Sequence, residues 1–140
     1  MFSKKAVAFV IALAISLAVI ANATAGSPHF INSAFTLTQT GNTITVTGKE
    51  AGLGDELQVD LVLTATAECI NPGGNHPKAG NKENVSFAES VPVQNGKADF
   101  TGPYALTVTA SFSPECSPPM TVNFTNVTVT DTTNGLTFTF

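Results

Sequence analysis

The chain has 140 residues, of which 43% are hydrophobic and 11% charged, with ten carboxylates, six lysines, no arginine and no tryptophan. That balance excludes ordinary nucleic-acid binding, which draws on clustered Lys and Arg to displace phosphate counterions and on arginine for bidentate contacts.

The first segment reads as an export signal. Lys4 and Lys5 precede an apolar run over residues 6–21, broken only by Ser16, and Ala21-Asn22-Ala23-Thr24-Ala25 follows. Basic, oily and small residues in that order make a secretory signal peptide. A membrane-spanning helix needs roughly 20 apolar residues, so an uncleaved anchor is the alternative. Cleavage is expected before Gly26, dividing the chain into a signal peptide, residues 1–25, and a secreted domain, residues 26–140. The 115 residues left hold four lysines and ten carboxylates, a net charge of −6. That length suits one domain with a core of its own.

From residue 30 onward apolar residues alternate with small polar ones, most often threonine, the period-2 mark of half-buried strands. Strands are expected over residues 35–39 and 43–47, with Thr40-Gly41-Asn42 reversing the chain between them. Next comes the central strand, whose Leu57, Val59, Leu61, Leu63 and Ala65 share a face opposite Gln58, Asp60, Thr64 and Thr66. Two further strands, residues 84–93 and 97–101, meet at Asn95-Gly96, a pair that accepts the positive φ of a tight hairpin. Pro92 lacks an N–H and therefore predicts an edge position. Leu106, Val108, Ala110 and Phe112 mark the next strand. Within residues 120–130 the apolar parity moves from Val122 and Phe124 to Val127 and Val129, which predicts a bulge near Thr125 or Asn126. The last strand, residues 136–140, follows a hairpin at Asn134-Gly135.

Seven or eight short strands with regular turns predict an all-β fold, an antiparallel immunoglobulin-like sandwich. A small outer-membrane β-barrel is the rival, because the chain ends on alternating Leu136, Phe138 and Phe140. Against it, the expected strands rarely reach the roughly ten residues a membrane strand needs, and Tyr104 is the lone tyrosine.

Cys69 and Cys116 are the only cysteines, and an even count in an exported domain predicts one disulfide. It would tie the long strand-free segment of residues 69–83 to residues 113–119. Loops held on a rigid sheet commonly carry recognition, so Asn71, Asn75, His76, Lys78 and Glu115 are the candidate ligand residues. The pairing of Cys-Ile-Asn-Pro-Gly-Gly-Asn-His-Pro with Pro-Glu-Cys resembles a pattern in small secreted bacterial β-rich proteins of uncharacterised function. The resemblance covers only these loops and implies an extracytoplasmic β-rich domain with no particular activity.

No catalytic set is legible. A serine triad would need His76 with Ser113 or Ser117 and Glu115, yet no Gly-x-Ser-x-Gly elbow is present. Glu68 and Glu115 both sit beside the cysteines, but a glycosidase also needs a cleft. Calcium through Glu50, Asp55 and Glu56 lacks EF-type spacing. Tyr104, after Gly102-Pro103, is expected either to serve as a sugar platform or to be a corner residue whose hydroxyl bonds the backbone. Asn84, Asn123 and Asn126 open glycosylation triplets. The expectation is a non-enzymatic module of the cell envelope or extracellular space, without cofactor or metal. Its partner would be a cell-envelope or extracellular polymer. The alternative is a glycan- or small-ligand-binding module at the disulfide-tied loops.

Overall fold

The computed structural model of the chain describes residues 26–73 and 81–140. The expected signal peptide, together with Asn75, His76 and Lys78, lies outside the described residues.

The fold is all-β and antiparallel, with nine strands among the described residues. They are β1 (His29–Phe30), β2 (Thr36–Thr40), β3 (Thr43–Ala51), β4 (Gln58–Ile70), β5 (Lys82–Gln94), β6 (Lys97–Phe100), β7 (Leu106–Thr109), β8 (Thr121–Asp131) and β9 (Leu136–Thr139). The eight expected strands are present, and β1 is the addition. Several run longer than expected: β4 and β5 have 13 residues each and β8 has 11. The segment expected to be strand-free shrinks accordingly, because the β4–β5 ladder continues to Glu68 opposite Lys82, whose ammonium lies 3.1 Å from the Glu68 carboxylate.

One layer is β5-β4-β8-β9. The other is organised by β3, whose first half pairs with β2 and β7 and whose second half pairs with β1 and β6. The β5–β6 hairpin carries hydrogen bonding from one layer into the other, so the two layers are joined along one side, an arrangement between a sandwich and a nearly closed barrel. At its apex Asn95 and Gly96 have φ of 52° and 71°, the pair of left-handed residues that a two-residue hairpin needs.

Period-2 alternation places the core. Val59, Leu61, Leu63, Ala65, Ala67 and Cys69 line the inner face of β4, opposed by Ile44 and Val46 of β3 and by Leu106 and Val108 of β7. Leu57 is a correction: it is 87% exposed. It precedes β4 and contributes its carbonyl to the Val93 N–H instead of its side chain to the core. The same bond turns the nitrogen of Pro92 away from β4, toward the side where only Val93 and Gln94 of β5 are paired. The missing N–H therefore leaves no gap in the main ladder, as an edge proline requires.

The expected bulge is present in β8. Thr64 faces Thr128 while Thr66 faces Thr125, so β8 spends one extra residue there, and Asn126 takes it up at φ 52°. Asparagine tolerates that left-handed backbone better than most residues.

Opposite the β5–β6 side, rings seal the layers where no ladder does. Phe35 stacks on Phe138 at 3.9 Å between centroids and meets Phe30, Phe100 and Phe140 edge-on. The cluster needs Gly48, since a Cβ there would lie 2.7 Å from the Phe100 ring. Outward faces carry threonine instead, with hydroxyls paired across strands at Thr36–Thr47, Thr43–Thr109 and Thr45–Thr107.

Candidate functional site

The disulfide pole is built by strand parity. The alternation that buries Leu61 and Leu63 brings Cys69 inward at the end of β4, where it bonds Cys116 of the β7–β8 connection, with Cα atoms 5.8 Å apart. The floor beside the bond is fixed by amide side chains. Gln39 Nε2 donates to the carbonyls of Gly41 and Val122, at 2.9 and 2.8 Å. Asn42 Nδ2 donates to the Ala110 carbonyl at 2.8 Å, and the Ala110 N–H returns a bond to the Asn42 carbonyl. Three segments distant in sequence are thus locked around the sulfur bridge.

A groove of about 510 Å³ opens there, lined by Gln39, Asn42, Glu115, Pro118, Met120 and Val122 among others. A recess of about 310 Å³ lies on the other side of Glu115, toward Ser111 and Phe112. Of the candidate ligand residues, Asn71 and Glu115 are both exposed and each stands within two residues of the disulfide. No hydrogen bond joins them. Glu68 pairs with Lys82, and the Glu83 carboxylate accepts the Ser111 N–H at 2.9 Å.

The opposite pole contains a pair that sequence reading did not assemble. Glu50 continues the inward parity of Ile44 and Val46 on β3, and Asp131 continues that of Val127 and Val129 on β8. Both are fully buried. Asp131 is well bonded: Oδ1 accepts the Thr133 and Asn134 N–H groups, and Oδ2 accepts Asn134 Nδ2 at 2.8 Å. The same Asn134 amide reaches Glu56 at 3.1 Å. Neither oxygen of Glu50 receives a bond from an N–H or hydroxyl group. Burial, followed by the Asp131 carboxyl beside it and the charges of Asp131 and Glu56, pushes the Glu50 pKa from the usual 4.5 to about 8. At neutral pH Glu50 is therefore held as a neutral acid, with the Asp131 carboxyl beside it.

A strongly raised carboxyl pKa often marks a catalytic acid. Here neither Glu50 nor Asp131 is among the residues that line the five grooves described for this domain. Among the described residues no three His, Cys, Asp or Glu side chains are arranged to hold a metal ion. Glu50 and Glu56 of the weighed calcium set do approach each other, but through Asp131 and Asn134, with Asp55 exposed. The signal that would have found this pair is parity itself: a glutamate and an aspartate each occupy the next inward position after two buried aliphatic residues.

Tyr104 ends a 3-10 turn over Gly102–Tyr104 and packs against the core edge. Its hydroxyl has no hydrogen-bond partner among the described residues, so of its two expected roles the corner bond to the backbone is not formed there.

Compared with known protein families, curated proteins and solved structures, the chain matches none of them.

Proposed function

We propose that the chain is an exported, non-enzymatic β module that works by contact, presenting the disulfide pole as a rigid interaction surface in the cell envelope or extracellular space. The Cys69–Cys116 bond carries this reading, because such bonds persist in oxidising compartments and are reduced in the cytosol. The basic, apolar and small segment of residues 1–25 supports export. No helix among the described residues is long and apolar enough to cross a membrane. A lipid-facing barrel would require apolar residues outward. Here the inner faces are aliphatic, while Asp60, Thr64, Asn84, Ser86 and Ser90 of β4 and β5 face outward and are exposed.

The test is expression of the full chain in a secreting host. Exported protein is expected to begin at Gly26, with both thiols resistant to alkylation before reduction. Free thiols in the exported material, or a hydrolase activity that disappears in His76→Ala, would overturn the reading.

A further inference from the structure

A second groove, about as large as the one at the disulfide pole, lies on neither of the cysteine-bearing loops. It measures about 530 Å³ and lies along the outward face of β6, with Pro92 and the Pro103-Tyr104 segment among its lining. Its floor follows from alternation: Ala98 and Phe100 are buried, so Lys97, Asp99 and Thr101 face outward. Gln94 and Asn95 extend it at the hairpin end.

Two properties separate this groove from an ordinary polar surface. The first is a fixed acceptor. Thr101 Oγ1 donates to Asp99 Oδ1 at 2.7 Å, and Lys49 Nζ stands 3.7 Å from Oδ2, so the carboxylate is aimed while retaining lone pairs. The second is a set of uncommitted donors around it. The side chains of Gln94, Asn95 and Lys97 and the hydroxyl of Tyr104 make no hydrogen bond or ion pair among the described residues. The apolar part is supplied by Pro92, Pro103 and the Tyr104 ring, rigid groups that lose little conformational freedom on binding.

A carboxylate flanked by amides, an ammonium and a phenol accepts from and donates to neighbouring hydroxyls, while proline and tyrosine faces accept the C–H side of a ring. Polyhydroxylated rings present both surfaces. Anionic ligands are disfavoured by Asp99 and by a domain charge of −6, and purely apolar ligands by the charged floor. We propose that the β6 groove is a binding site for a neutral saccharide chain, with Asp99 as its hydroxyl acceptor and Tyr104 as its platform. The site is separate from the disulfide pole and does not depend on that surface being used.

The experiment is affinity electrophoresis and calorimetry of the disulfide-bonded protein against soluble β-glucan, xylan, mannan and chito-oligosaccharides, with heparin as the anionic control. Binding to at least one neutral glycan is expected, weakened at least tenfold by Asp99→Asn and by Tyr104→Ala. Tyr104→Phe, which keeps the ring, is expected to weaken it less than Tyr104→Ala. Gln39→Ala, at the disulfide pole, should leave it unchanged. No binding to any neutral glycan at millimolar concentration overturns the proposal. So does binding to heparin alone, or binding that survives Asp99→Asn and is lost in Gln39→Ala. Circular dichroism of each variant separates loss of the site from loss of the fold.

Discussion

The two poles of this domain solve the same problem with opposite chemistry. At one, the inward positions that close β4 and the β7–β8 connection are cysteines, and a covalent bond joins segments 47 residues apart. At the other, the inward positions that close β3 and β8 are carboxyl groups, one of them without any N–H or hydroxyl donor. The first pole gains stability from the constraint it places on the unfolded chain. The second loses some at neutral pH, because Glu50 must keep a proton that water would readily take. An inward-facing strand end is thus no guarantee of stabilisation, since the chemistry of the terminal residue decides its sign.

Breaking the covalent pole should have the largest effect. Closing a loop of this length is worth about 4 kcal/mol in the chain-entropy model, so Cys69→Ala with Cys116→Ala should lower the unfolding free energy by about that much in urea titrations. A loss below about 1 kcal/mol would show that the amide bonds of Gln39 and Asn42 hold the pole without the sulfur bridge.

The acidic pole should respond in the other direction. Folded Glu50 keeps its proton to about pH 8, whereas in the unfolded chain it ionises near 4.5. The folded state therefore binds more protons across that window, and stability should fall as pH rises from about 4.5 to about 8, then level off. Glu50→Gln removes the titrating group and brings amide donors to Asp131. It should stabilise the protein by about 3 kcal/mol at pH 7, with little effect at pH 4. Equal effects at both values would show that Glu50 is not held neutral by burial.

Asn134→Ala sharpens the comparison further. It removes the amide that bridges Asp131 and Glu56 and should cost about 1–3 kcal/mol at pH 7 by leaving charged acceptors unpaired. The smallest change concerns the bulge. Asn126→Ala should cost about 1 kcal/mol for its left-handed backbone, while Asn126→Gly should cost nothing measurable by thermal melting. Equal melting temperatures for the two variants would mean that the bulge relaxes without strain.

Much of the fold was legible because alternation is a local property. The inward series of β4, the Asn95-Gly96 hairpin and the Pro92 nitrogen turned away from β4 all follow from residues adjacent in sequence. The parity change between Phe124 and Val127 even located the bulge, and that bulge is what turns Asp131 inward. Boundaries were less legible. Leu57 shares the spacing of the core face yet precedes the strand, and only the ladder with β5 shows where β4 starts. The site was legible only in part: the sequence placed Asn71 and Glu115 near the cysteines, and both stand within two residues of the bond, but parity taken strand by strand does not bring Glu50 and Asp131 together.

The order of apolar and polar residues by itself determined an all-β chain and the inward face of nearly every strand, while its Gly and Asn pairs marked the turns and its two cysteines the one disulfide. Which inward faces meet was decided only by tertiary structure. Glu50 and Asp131 lie 81 positions apart, and their carboxyl groups are neighbours because β3 and β8 belong to facing layers. The β6 groove likewise joins Pro92 and Tyr104 across a hairpin and a turn. Period-2 patterning specifies the side to which a residue points, whereas its neighbour across the core depends on how the sheets are stacked.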